Sequence, residues 1–570
     1  MKFGYLAVAA ALALGGCSMV RGMWPWTEEN PPTTIEAPTV TADAGAFAAF
    51  QHAPMTPAAL MAHVERLASD EFEGRAPGTR GEELTVDYIS RAFAALGLQP
   101  GNNGSWTQDV PIATATVTNN PTLRLGEHSY VFGTDFVAWT KRLEPTTSVH
   151  DAELVFVGYG IVSAENNWND YAGVDVRGKV AVILVNDPDF DTGDNRGFGG
   201  RAMTYYGRWT YKLEEAARQG AAGAIIVHED AAAAYGWGTV QSSWSGPQVD
   251  LLRADRGASR VAVEGWIQNG VAQLLFQRAG LNFAEERRRA QNPGFTAVSL
   301  NQTLSIDLET SITESLSRNV IGVLPGRERP QEAMLYTAHW DHLGRCTPVD
   351  GDDICNGALD NATGVAGLIE LARRFASEPR TERSIAFISF TAEESGLLGS
   401  AYYASHPIFA PTSTAAAINM DGLSTYGMAR DITVIGYGQT NLDQMLAEAA
   451  AGQRRVVTPD GTPERGSYYR SDHFNLAKIG IPSLYVNTGL DLYVGGTERG
   501  RAVSTDYIAQ RYHKPDDELR PDWDMTGAMR DLQLLHDVGH RVADSAIWPE
   551  WRPSSEFRAI RDASIAVRRY

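Results

Sequence analysis

Five short motifs hold the side chains of this chain that could do chemistry: His339-Trp340-Asp341-His342, Gly357-Ala358-Leu359-Asp360-Asn361, Glu393-Glu394, Asn419-Met420-Asp421, and Tyr512-His513 running on to Asp517. They supply imidazoles and carboxylates, the ligands that zinc takes, and a catalytic zinc keeps one position open for water. Two metals about 3.5–4 Å apart need a bridging carboxylate and a few terminal ligands. His339, Asp360, Glu394, Asp421 and His513 make such a set, and Glu393 beside one of them is left over as a base. A bound metal lowers the pKa of water to about 7, and a neighbouring carboxylate can take the proton.

Most of these motifs come just after a short apolar run. AMLYTA (333–338), SIAFISF (384–390) and TAAAIN (414–419) read as buried strands that end just before His339, Glu393-Glu394 and Asp421. In an open α/β sheet, ligands bind in the crevice outside the carboxyl ends of the strands. Asp341 stands two residues after His339, so at a strand end the two share a face, and a carboxylate there can hold the second imidazole nitrogen. TGVAGLIELARRF (363–375) has helical periodicity and starts just after Asp360, which places that carboxylate near a helix N-terminus and favours its ionised form. The expected fold class is α/β, with a mixed, mostly parallel central sheet flanked by helices.

In this order the motifs resemble the M28 family of zinc peptidases. The resemblance implies a zinc-exopeptidase fold and two Zn2+ per chain. Asp360 would bridge the metals, His339 and Asp421 would complete one, and Glu394 and His513 the other. Glu393 would be the general base, Asp341 would orient His339, and Tyr512 would stabilise the tetrahedral intermediate. The implied activity is hydrolysis of peptide bonds next to a free N-terminus, with peptides as partners. A metallocarboxypeptidase of the same family is the first alternative. It needs a basic cluster in the cleft, for which Arg470, Arg499 and Arg501 are candidates. The second is a non-catalytic binding protein on this scaffold; such proteins typically lose ligands, and here none is missing. Residues 67–81, LASDEFEGRAPGTRG, also resemble the N-terminal part of M28 peptidases. Glu73 and Arg75 in that stretch read as a structural ion pair.

A chain of 570 residues is too long for one core. The expected division is a peptidase domain from 51–122 and 301–548, an inserted domain over 123–300, and a tail at 549–570. ELVFVGYGI (153–161), GKVAVILVND (178–187) and YKLEEAARQGAAGAIIVHE (211–229) read as strand, strand, and helix followed by strand. This insert resembles a protease-associated (PA) domain, β-rich and α+β, which implies a lid or a wall of the cleft rather than chemistry. The Gly-, Asp- and Arg-rich stretch 187–209 is a loop that could reach the cleft. Asp472 and His473 either line the cleft or sit in a hydrogen-bonded turn. His536 and His540, four apart on a helix, read as a packed face. The net charge of −20 argues against nucleic acid.

At the N-terminus, Lys2 precedes an apolar run too short to span a bilayer. It ends in Leu14-Gly15-Gly16-Cys17, which resembles a bacterial lipobox and implies lipidation of Cys17. Residues 18–50, rich in Pro, Thr and Ala, then read as a flexible tether. The expected location is the cell envelope, at the outer membrane facing the periplasm. Of the three cysteines, Cys346 and Cys355 remain. Export favours a disulfide between them, pinning the stretch from His339 to Asp360 and worth ~3 kcal/mol in the chain-entropy model; two free thiols are the alternative.

Overall fold

The computed structural model describes residues 55–568; Cys17, the leader and the 18–50 tether lie outside them. The apolar runs form the middle of one sheet. Strand Arg329–His339 lies between Arg383–Phe390 and Thr414–Asn419, parallel to both, and Ser483–Thr488 continues the parallel set. Every residue of Arg383–Phe390 and Thr414–Asn419 is buried, as strands covered on both faces must be. Antiparallel strands flank this core: Val298–Leu324 beside Arg383–Phe390, and Asp431–Ile435 beside Ser483–Thr488.

Side chains alternate between two helical layers. Met334, Tyr336, Phe387 and Ile418 face the helices Pro57–Leu67, Thr363–Ala376 and Thr526–Ala543, meeting Leu60, Val64, Leu368 and Leu535. Leu335, Ile388, Phe390 and Ala417 face the other way, onto Tyr403 and Leu476. His536 belongs to the first layer. It is buried, its Nε2 is 2.9 Å from Glu378, and its ring lies 4.5 Å from that of Phe375. The tail closes on the body: buried Trp551 donates to the carbonyl of Gly480, and buried Arg561 to that of Pro411.

The strand Val298–Leu324 is 27 residues long and serves two sheets. Its later part pairs with Thr107–Val117 and Arg383–Phe390, its earlier part with Thr146–Phe156. From Thr146–Phe156 a second parallel set runs through Val180–Leu184, Gly223–His228 and Val263–Gln268. This region has its own apolar clusters, one around Phe156 and Phe276 and one around Trp139, Trp244 and Trp266. The loop after Val180–Leu184 returns to the first sheet. Met203 N donates to Pro463 O at 3.2 Å, and its side chain packs with Ile435, Tyr468 and Tyr485.

Candidate metal centre

The parallel strands bring three motifs to one edge. His339 ends its strand, while Glu393-Glu394 and Asp421 come after Phe390 and Asn419 on the strands either side. Asp360 comes from the turn before helix Thr363–Ala376, and His513 from the loop after helix Gly496–Gln510. His339 Nε2 is 3.3 Å from Asp360 Oδ1 and 3.2 Å from Asp421 Oδ1. His513 Nε2 is 3.4 Å from Asp360 Oδ2 and 3.1 Å from Glu394 Oε2. The two oxygens of Asp360 therefore serve two different imidazoles.

Among the described residues two donor groups are compact enough to hold a metal: His339, Asp360 and Asp421, and His342, Asp360 and Glu394, with the predicted ligand His513 beside the second. His342 is a residue to which the sequence alone assigned no role. It is buried, its Nδ1 is 2.6 Å from Glu394 Oε1, and its ring stands 5.6 Å from that of His513. The signal that could have found it is a second histidine three positions after His339, beyond the strand end.

Burial opposes protonation of His339, but Glu393, Asp421 and Asp360 outweigh it and hold the imidazole well above its usual pKa. His513 is likewise desolvated yet raised to about 10 by Glu394 and Asp360. Burial and Asp360 push Glu394 up, but His513 and His342 win and bring it down to about 2. Asp360 is held well below its usual value, against burial, by the two imidazoles that face it. A desolvated group of carboxylates that forces protons onto its histidines has the field and the nitrogen and oxygen donors that suit zinc dications. The residues present fit zinc.

The surroundings fix these groups. The Asp341 carboxylate accepts the backbone N–H of Glu393 at 3.0 Å and of Glu394 at 3.3 Å. The His339 Nδ1 is nearer the Asp341 carbonyl, at 3.1 Å, than the carboxylate, at 3.8 Å. Asp341 thus anchors the glutamate pair as much as the histidine ring. Asp517 accepts the backbone N–H of Leu359 and of Asp360, both at 3.0 Å, and the Tyr507 hydroxyl at 3.1 Å. The sequence alone gave Asp517 no role. Cys346 and Cys355 are bonded, closing the hairpin of Gly344–Val349 and Asp352–Cys355 between His339 and Asp360.

Glu393 is 9% exposed and belongs to neither donor group. Burial raises its carboxyl well above the usual range, against the pull of His339. Tyr512, 44% exposed, stacks on His513 at 3.8 Å. Arg470, Arg499 and Arg501 are exposed. Glu73 and Arg75 do not pair, contrary to expectation. Glu73 reaches Arg345 at 3.9 Å, while the Arg75 guanidinium turns inward onto backbone carbonyls. The left-handed backbone at Glu73, Gly74 and Arg75 points the two side chains apart.

Asp472 and His473 are fully buried, so neither lines an open cleft. His473 packs between the rings of Tyr468 and Tyr485, at 4.6 and 4.8 Å, and desolvation lowers its pKa from 6.5 to about 3. The unfolded chain binds this proton below about pH 6.5 and the folded chain does not, so stability is lost as the pH falls. Between pH 6.5 and 5, wild type is expected to lose about 2 kcal/mol more than His473→Gln, as read from denaturant titrations at both pH values. Equal losses would show that the buried ring accepts the proton.

Comparison with known proteins finds a matching family model and several relatives. Aminopeptidase YwaD of Bacillus subtilis (strain 168) is 24% identical over 219 residues, 37% of this chain and 41% of that protein. A probable zinc metalloprotease of Pyrenophora teres f. teres is 38% identical over 102 residues, 18% of this chain and 22% of the relative. The chain thus matches less than half the length of these curated relatives. Among solved structures, the aminopeptidase from Aneurinibacillus sp. strain AM-1 gives a TM-score of 0.47 at 20% identity, covering 89% of this chain and 97% of that one. The zinc aminopeptidase BSAP from Bacillus subtilis gives 0.41 at 19%, covering 86% and 96%. The family model described as peptidase family M28 matches residues 319–536, the stretch that carries His339, Asp360, Glu393, Glu394, Asp421 and His513.

Proposed function

We propose that this chain is a zinc-dependent metallopeptidase that binds two zinc ions and removes residues from the free N-termini of peptides. The observation that carries the reading is the Asp360 carboxylate, with one oxygen toward His339 and Asp421 and the other toward His513 and Glu394. The names of the relatives, aminopeptidase and probable zinc metalloprotease, agree with it. His339, Asp421 and Asp360 would hold one zinc; Asp360, Glu394 and His513 the other, with His342 orienting Glu394. Bound zinc supplies the Lewis acid that acidifies water and polarises the scissile carbonyl.

The chain's own groups do the rest. Glu393, fixed through its backbone by Asp341, receives the proton of the attacking water and returns it to the leaving amine. Tyr512, at the exposed mouth beside His513, donates its hydroxyl to the developing oxyanion. The 187–209 loop, seated through Met203 on the segment that leads to Asp472, would form a wall of the cleft. A lipid anchor at Cys17, an envelope location and the protease-associated character of 123–300 complete the proposal.

The test is a panel of free-amine and N-blocked peptides incubated with the zinc-loaded protein, with products read by mass spectrometry. Loss of N-terminal residues from free-amine peptides alone is expected. Shortening of N-blocked peptides from the other end would replace this reading with a carboxypeptidase, and no cleavage of any peptide would remove it.

A further inference from the structure

Arg75 is the least expected buried charge in the molecule. Its residue is 0% exposed, and no carboxylate among the described residues lies within ion-pair distance of it. Instead its nitrogens donate to four backbone carbonyls. Nε reaches Trp340 O at 2.8 Å, Nη1 reaches Leu67 O and Asn356 O, both at 2.7 Å, and Nη2 reaches Gly357 O at 2.8 Å. Trp340 sits between His339 and Asp341, and Gly357 three residues before Asp360. One rigid guanidinium therefore ties together the two loops that deliver the first imidazole and the shared carboxylate.

The backbone that presents Arg75 is unusual. Glu73, Gly74 and Arg75 are all left-handed, with φ of 47°, 65° and 53°. For a residue with a side chain this costs ~1–2 kcal/mol each, and it persists only where the surroundings impose it. A Cβ on Gly74 would lie 2.4 Å from Cys355 O and 2.7 Å from Gly344 O, so the turn is pressed against the disulfide hairpin. Asp70 accepts the side-chain amide of Asn356 at 3.0 Å on the same side. The segment from Gly344 to Asp360 is clamped between this turn and the sheet.

Burial lowers the Arg75 pKa to about 10, so the group stays charged at neutral pH within the field of Asp517, Asp341, Asp360 and Glu394. Lysine could keep that charge, but as a point donor on a flexible stem it cannot reproduce a planar fork shared among four carbonyls.

We propose that Arg75 is a positioning residue for the metal centre: by holding the Trp340 and Gly357 carbonyls it sets the spacing of His339 and Asp360, and so the zinc affinity. It acts from well outside the 319–536 stretch that matches the peptidase family. The inference rests on the zinc reading above and is separable from it by the wild-type control.

The experiment measures zinc affinity by competition with a chromophoric chelator for wild type, Arg75→Lys and Arg75→Met, with circular dichroism and denaturant titration of the metal-free proteins. Groups that orient ligands typically change metal affinity about 10–100-fold. Arg75→Lys is expected to fold and to bind zinc in that range more weakly, with hydrolysis recovering as zinc is added in excess. Arg75→Met is expected to be weaker still. Folded variants with wild-type zinc affinity would overturn the proposal. Failure of both variants to fold would assign Arg75 to the fold rather than to the centre, overturning it equally. A wild type that binds no zinc would instead sink the metal reading, and this proposal with it.

Discussion

Glu393→Ala is expected to lower kcat by about 10²–10⁴-fold while leaving zinc content and KM nearly unchanged. Glu393 lies in neither donor group, and both groups are complete without it. Its loss therefore removes a proton carrier and not a ligand. It also removes a desolvated carboxylate that already repels its neighbours, since Asp421, Glu394 and Asp472 all oppose its ionisation. The metal-free variant should then be no less stable than wild type, and the loss of rate cannot be ascribed to unfolding. Steady-state kinetics with metal analysis on the same samples check this. Activity within tenfold of wild type would mean that another group carries the proton.

Asp360→Ala is expected to do the reverse, emptying the centre and with it the activity. Its two oxygens face His339 on one side and His513 on the other, so on the proposed two-zinc reading a single substitution would take a ligand from both metals. Zinc retained after dialysis should fall from about two per chain to one or none, and hydrolysis should fall to background. The metal-free protein should also lose stability. The two imidazoles hold the Asp360 carboxyl well below its usual pKa against burial, so its ionised form contributes net stability that alanine removes, although His339 and His513 keep Asp421 and Glu394. A lower unfolding midpoint than metal-free wild type, with an unchanged circular dichroism spectrum, is expected. Two zinc ions retained in Asp360→Ala would show that the metals do not share this carboxylate.

Legibility from the sequence divides along a physical line. The strands before His339, Glu393 and Asp421 were readable because a strand buried on both faces is an unbroken apolar run, and the residues just after such a run must lie at the sheet edge. The spacing of Asp360 ahead of a helical period was readable for the same reason, although the helix starts at Thr363 and Asp360 occupies the turn before it. His342, Asp517 and Arg75 were not readable in these roles. Each acts through a contact that depends on tertiary folding: an imidazole on Glu394, a carboxylate on two backbone N–H groups, a guanidinium on four carbonyls. No periodicity marks such contacts. The Glu73–Arg75 pairing failed because proximity in sequence says nothing when three successive residues are left-handed. The 187–209 loop was readable as a loop, but its seat was not, since Met203 against Pro463 and Tyr205 against Phe474 are tertiary contacts that no periodicity marks.

The central claim, two zinc ions sharing Asp360, is tested most directly by anomalous diffraction at the zinc edge from crystals of the zinc-loaded protein. Two peaks about 3.5–4 Å apart, one between His339 and Asp421 and one between His513 and Glu394, are expected. A single peak, or none at Asp360, would contradict the account.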